Sequence, residues 1–304
     1  MRIVSLLPSA TEIVCALGLG DSLVGVSHEC DWPPAVVGLP VVTEPKIDPT
    51  GTSAQIDAAV GDLVRDGLSV YRIRTDVLAA LEPDLIVTQE QCDVCAVSYD
   101  EVVLATRDLL GDSASIVALK PVVLSDILAD IERVAEAAAC VAAGRNLLTQ
   151  MTQRFERIRR RAAQVRSRPR VACIEWLSPL MAAGNWVPEL VVMSGGEYRL
   201  ASAGELSRPI EWSRLAEEAP DVVILMPCGF KLPQTERELP GLVAHPGWRE
   251  LPAVRNGRVY AVDGNSYINR PGPRIAESAE LLAGLIQPSF FAALIPPHSY
   301  TRVE

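Results

Sequence analysis

From Val122 to Arg168 the chain holds no proline, although it carries 23 of them over 304 residues. Ile127, Ile131, Val134, Ala138 and Val141 recur at spacings of three and four, the period of an amphipathic helix. Leu148, Met151, Phe155, Ile158, Ala162 and Val165 continue the pattern. Asp126 and Asp130 suit the positive end of a helix dipole, and Arg159, Arg160 and Arg161 suit its negative end. The stretch predicts one long helix, with Gly144 as the place for a break or a change of face. A helix of ~40 residues spans roughly 60 Å, which makes it a stiff connector. The organisation is then a lobe over 1–121, a connecting helix over 122–168 and a second lobe over 169–304.

Both flanks alternate short apolar runs with helical stretches, the pattern of parallel sheets covered by helices. Strands are expected at Arg2–Leu6, Ser22–Ser27, Leu85–Gln89 and Ser115–Ala118, then at Arg170–Glu175, Val222–Met226 and Arg258–Val262. The halves echo each other: Val77 to Val87 (VLAALEPDLIV) and Arg214 to Ile224 (RLAEEAPDVVI) each stop a helix at a proline and open a buried strand with an Asp. Two similar α/β lobes follow. Ligands of such sheets sit outside the carboxyl ends of the strands, so a cleft between the lobes is the expected site.

The opening MRIVSLLPSATEIVCALGLG is broken by Pro8, Thr11 and Glu12, where a secretion signal needs an unbroken apolar run. It reads as a strand followed by a helix capped by Ser9, with Glu12 completing a capping box. Seven cysteines, an odd number, do not make a disulfide framework and point to a reducing compartment. The expectation is a cytoplasmic protein, or a periplasmic or extracellular one if the chain is a mature fragment. A net charge of −10 repels phosphate backbones and anionic lipid, so neither nucleic acid nor a membrane surface is expected as main partner. No run reaches the ~20 apolar residues needed for membrane insertion.

Two strand-end loops combine metal-binding residue types. The first holds His28, Glu29, Cys30 and Asp31, the second Gln89, Glu90, Cys92 and Cys95. His28, Cys30, Cys92 and Cys95 form the donor set of a Cys3His zinc site, and thiolate with imidazole also suits iron or copper. The alternative is a pair of buried helix-start thiols, or a redox pair, beside a hydrogen-bonded histidine. Glu29, Glu44 and Glu90 are the nearby bases if the thiols do chemistry.

Aromatic residues make up only 5% of the chain, yet several lie at strand ends. Trp32, Trp176, Trp186 and Tyr267 are candidates for the flat walls of a site for a large planar ligand, or each caps the core of its lobe. Tyr71 follows a turn containing Gly67, in position to close over the cleft. Glu29, Gln89, Asn265 and Arg270 supply polar contacts. The arginines from Arg154 to Arg170 read as a solvated helix face, and His245 as a residue that orders a turn. A G-x-S-x-G elbow, a Walker loop and an H-E-x-x-H pair are all missing from the sequence.

The run RIVSLLPSATEIVCALGL from Arg2, LVGVS from Leu23, DWPP from Asp31, EPDLIV from Glu82, DVVI from Asp221 and GPRI from Gly272 resemble the helical-backbone substrate-binding proteins of ABC importers. That family serves vitamin B12, haem and iron–siderophore chelates, and the B12-binding branch is the most similar. The resemblance implies two Rossmann-like lobes on one long helix, with little closure on binding. It also implies a small-molecule ligand, here cobalamin or another corrinoid, and an ABC permease as partner if the chain is exported. By position it places Trp32, Trp176 and the segment from Asn265 to Arg270 at the ligand. The longer segment from Thr43 to Arg74, the His28/Cys30 and Cys92/Cys95 pairs and the missing secretion signal depart from the B12 pattern. These departures point to a specialised, cytosolic branch. Two functions follow: a non-enzymatic binding protein for a corrinoid or related metal chelate, or a metal-binding or thiol-dependent protein using the His/Cys site on the same fold.

Overall fold

The computed structural model describes residues 1–66, 68–90, 98–111 and 113–304. They divide into two compact units: 1–51, 55–121 and 125–150 form the first, and 52–54, 122–124 and 151–304 the second.

The first unit holds β1 (Ile3–Ser5), β2 (Leu23–Val26), β3 (Thr43–Pro45), β4 (Tyr71–Ile73), β5 (Leu85–Gln89) and β6 (Ser115–Leu119). Its main sheet runs β2-β1-β5-β6, all parallel, while β3 and β4 form a separate antiparallel pair. Helices α1 (Pro8–Ala16), α2 (Ser53–Arg65), α3 (Thr75–Leu81), α4 (Tyr99–Leu110) and α5 (Leu124–Ala137) fall between or after these strands. Every residue of β1 and β5 is buried, the polar Ser5, Thr88 and Gln89 at their carboxyl ends included, as in a parallel sheet covered on both faces. The N-cap of α1 is Leu7, without a side-chain hydrogen bond, and not the expected Ser9; Pro8 takes the first helical position. Proline suits that position because its φ is preset and it has no N–H to leave unpaired. Ser9 is therefore buried inside the first turn.

The run expected as one helix is two, α5 and α6 (Val141–Ala162). Ala139 takes φ +52 between them. The Cys140 N–H reaches the Ala135 carbonyl (2.8 Å) and the Ala139 N–H reaches Glu136 (3.0 Å), the paired bonds of a Schellman stop. Gly144 lies past this stop, in the first turn of α6, where a Cβ would fall 2.6 Å from the Ala135 methyl. It permits close approach of α6 to α5 and does not cause the break. Residues 141–150 of α6 belong to the first unit and 151–162 to the second.

The second unit's sheet has the order β12-β11-β10-β7-β8-β9, from β7 (Val171–Leu177), β8 (Leu180–Ala182), β9 (Arg208–Pro209), β10 (Val222–Leu225), β11 (Val259–Val262) and β12 (Tyr300–Arg302). The central β7, β10 and β11 are parallel and the flanking strands antiparallel. Helices α7 (Val187–Met193), α8 (Trp212–Glu218), α9 (Leu232–Val243), α10 (Pro252–Arg255), α11 (Ile275–Ile286) and α12 (Pro288–Phe291) complete it.

The repeat seen in the sequence has a structural meaning. Helix α3 ends on Glu82 at φ +40 and α8 on Ala219 at φ +43, each followed by a proline and an aspartate. Asp84 accepts from the Arg2 N–H (2.6 Å), just ahead of β1, and Asp221 accepts from the Arg170 N–H (2.9 Å), just ahead of β7. In each unit the aspartate ties the entrance of one central strand to that of its neighbour.

Candidate functional site

In the first unit, β2 leads into Ser27 and the loop 28–32. His28 is held against β3 through Thr43: its backbone N–H and its Nδ1 both meet Thr43 Oγ1, at 3.1 and 2.8 Å. The Thr43 hydroxyl in turn donates to Ser27 Oγ (3.2 Å). With its own proton spent on Ser27, Thr43 accepts from His28, so Nδ1 carries the hydrogen and Nε2 keeps its lone pair. Burial holds the His28 pKa below its ordinary value, against the opposing pull of Glu44, and the ring is neutral at pH 7. The Tyr71 ring lies 5.0 Å from the imidazole, and its hydroxyl donates to Glu29 Oε1 (3.0 Å). His28, Glu29 and Tyr71 are thus brought together, on the β2 loop and β4. Trp32 follows at 44% exposure, and Gln89 ends β5 buried.

Cys30 faces elsewhere. Its Sγ lies 3.0 Å from Thr11 Oγ1, which donates to Ser5 Oγ (2.8 Å), and Ser5 donates to the Leu7 carbonyl (3.0 Å). The thiol and the imidazole therefore bond to different hydroxyls, on α1 and β3. Cys92 and Cys95 lie outside the described residues. Among the described residues no cluster of three or more His, Cys, Asp or Glu side chains is placed to hold a metal ion.

In the second unit, Trp176 near the end of β7 packs at 5.1 Å against Phe230, which follows β10. Trp186 is buried, and its Nε1 donates to the Ile268 carbonyl (2.7 Å). It is a support for the segment 263–270, which is pinned throughout. The Asn265 N–H reaches the Phe230 carbonyl (3.0 Å), Asn269 Nδ2 reaches the Met226 carbonyl (2.7 Å), and Ser278 Oγ accepts from the Ile268 N–H (2.8 Å). Ile268 sits at φ +65, a strained conformation for a β-branched residue. Gly264 approaches so closely that a Cβ would stand 2.1 Å from the Pro227 carbonyl oxygen. Arg270, nearly buried, donates to Asn265 Oδ1 (3.0 Å), and the Arg274 guanidinium lies 5.8 Å from the Tyr267 ring. Thr43, Phe230 and Ser278 were not apparent from the sequence as members of a site. Only Phe230 had a signal there, as an aromatic just after an expected strand.

Each unit thus presents aromatic and polar groups at the carboxyl ends of parallel strands, the arrangement of a solute-binding protein. The chain belongs to the periplasmic binding protein family, whose model matches residues 3–265. It is 25% identical over 299 residues to an ABC transporter substrate-binding lipoprotein of Bacillus subtilis, covering 95% of this chain and 81% of that one. It is 26% identical over 284 residues to the vitamin B12-binding protein of Vibrio cholerae, covering 92% and 86%. The fold is shared with the periplasmic haem-binding protein RhuT of Roseiflexus (TM-score 0.69, 24% identity, 96% and 98% covered). It is shared too with a possible iron-binding periplasmic protein of Staphylococcus epidermidis (TM-score 0.71, 19% identity, 94% and 98% covered).

These likenesses correct the expected location. The family is periplasmic and one relative is a lipoprotein, so the cytoplasmic assignment is withdrawn. Its basis was indirect. Residues 3–16 contain the first strand and helix of the fold, so the polar residues that interrupt them report on folding and not on address. Cys15, Cys30, Cys140, Cys173 and Cys228 are free thiols, and free thiols fix no compartment. Among the described residues no helix is long and apolar enough to cross a membrane.

Proposed function

We propose that the protein is a non-enzymatic solute-binding component of an ABC importer, and that its solute is cobalamin or a related metal chelate. The observation that carries this reading is His28. It is neutral, its Nδ1 is engaged by Thr43, its Nε2 keeps a lone pair, and its ring lies 5.0 Å from that of Tyr71. An imidazole oriented through Nδ1 is suited to donate Nε2 to the open axial position of a chelated metal. Trp32 in the first unit, and Trp176, Tyr267, Asn265 and Arg270 in the second, are flat and polar groups of the kind that take up a macrocycle and its side chains. The B12-binding relative supports a corrinoid as the first ligand to test. Binding of this kind needs no covalent step: stacking on flat side chains, polar contacts and one exchangeable metal bond are sufficient.

The test is a titration of the reduced protein with aquocobalamin, haemin and a ferric chelate, followed by tryptophan fluorescence. Saturable quenching by one of them is expected. His28→Ala is expected to weaken a ligand with an exchangeable axial position about tenfold, the equivalent of about 1.4 kcal/mol. The same variant leaves binding of cyanocobalamin, whose metal is already capped, unchanged. No response to any of the ligands would refute the reading.

A further inference from the structure

Eight of the chain's 28 basic residues fall between Arg154 and Arg170, against one acid, Glu156, in a protein of net charge −10. Three of the eight are engaged: Arg154 with Glu280 (2.6 Å), Arg170 with Asp221 (3.2 Å) and Arg161 with the Phe290 carbonyl. Arg157, Arg159, Arg160, Arg166 and Arg168 are exposed, and among the described residues none has an acidic partner.

All but Arg159 lie on the side of the second unit that carries α12. Phe155, Ile158 and Ala162 of α6 are buried, so Arg157, Arg160 and Arg161, at i, i+3 and i+4, share an outward face. Arg161 bonds to Phe290 and lies 5.1 Å from the Phe291 ring, which sets that face alongside α12. Gln287 Nε2 donates to the Ser167 carbonyl (2.8 Å) and fastens the segment bearing Arg166 and Arg168 to the start of α12. There Phe290 is 37% exposed. Arg157 and Arg160 on the helix face and Arg166 and Arg168 on the segment beside α12 are like charges for which the described residues supply no ion pair, so their partner is sought outside the fold.

We infer that this face is a docking surface for the phosphate headgroups of an anionic lipid bilayer. Charge complementarity favours it, and so does Phe290: an aromatic ring beside arginines matches the boundary between headgroups and acyl chains. The overall negative charge does not oppose it. Charges farther than about 8–10 Å are screened at physiological salt, so a surface in contact with the patch meets the arginines and not the distant acids. The exclusion of a membrane surface from net charge alone therefore holds for the molecule as a whole but not for this face. The assignment is independent of the identity of the solute, because it involves none of the strand-end residues.

The test is co-sedimentation of the full chain with vesicles of equal parts phosphatidylglycerol and phosphatidylcholine, against vesicles of phosphatidylcholine alone. Binding to the anionic vesicles that fades with added salt is expected. Each arginine near such a surface changes partitioning about fivefold. The combined variant Arg157→Gln, Arg160→Gln, Arg166→Gln is thus expected to lose roughly a hundredfold, with an unchanged Tm. Phe290→Ser lowers partitioning while keeping the salt dependence. Equal binding to neutral vesicles, no binding to anionic ones, or wild-type binding by the triple arginine variant overturns the assignment. So does tighter capture by poly-glutamate than by vesicles, which would give the face to an acidic protein.

Discussion

At Thr43 a single hydroxyl takes two hydrogen bonds from His28 and gives one to Ser27, and this fixes both the tautomer and the direction of the imidazole. His28 stood out in the sequence as a candidate ligand. Thr43 did not, because it reaches His28 across 15 residues from a strand only three residues long. The same limit hid Ser278 beside Ile268. Chemistry-bearing side chains are legible in a sequence; the hydroxyls that orient them are not, since serine and threonine are common and tertiary pairing leaves no period. Backbone proximity is equally hidden, and Gly264 is the sharpest instance. Gly264→Ala would drive a methyl group into the Pro227 carbonyl, and a destabilisation of about 1–3 kcal/mol is expected. Chemical denaturation would measure it; a variant as stable as the parent would show that segment 263–270 is free to shift.

Among the elements, the parallel strands were legible because buried apolar runs are bounded by proline, aspartate and glycine. The repeated helix, proline and aspartate before β5 and β10 was legible for the same reason. Strands β8, β9 and β12 were not, being two or three residues long and too short to show alternation. The stop between α5 and α6 was hidden by composition. Residues 134–143 are mostly alanine and valine, with neither glycine nor proline to signal the end, and the left-handed turn falls on Ala139. An alanine there strains a conformation that glycine adopts freely. Ala139→Gly is therefore expected to stabilise the protein by about 0.5–1 kcal/mol, read as a raised denaturant midpoint with an unchanged slope. A loss of stability would mean that the Ala139 methyl contributes packing that outweighs the strain.

At the scale of the whole molecule, Asp130 is expected to contribute to the dependence of stability on pH. Burial pushes this carboxyl up from 3.8 to about 6, although Arg133 and the Lys120 N–H pull it down. A carboxyl raised on folding is protonated in the native state between about pH 4 and 6, where the unfolded chain is already ionised. Its contribution to the fold is therefore fully present below its unfolded pKa and is lost as pH rises through about 6. His28 works in the other direction, since its lowered pKa costs stability as pH falls below the ordinary histidine range. Asp130→Asn removes the first effect alone. Thermal melts at pH 5 and pH 7 should then show the variant gaining, relative to the parent, more at pH 7 than at pH 5; identical gains would assign the pH dependence elsewhere.

The six-stranded sheet of the second unit ends on β9, two residues long and closed by Pro209, and on β12, three residues long. Neither margin offers another chain a long row of free donors and acceptors, and Pro209 has no N–H to give. Neighbouring molecules thus meet, on this sheet, borders too short to template extended strand pairing.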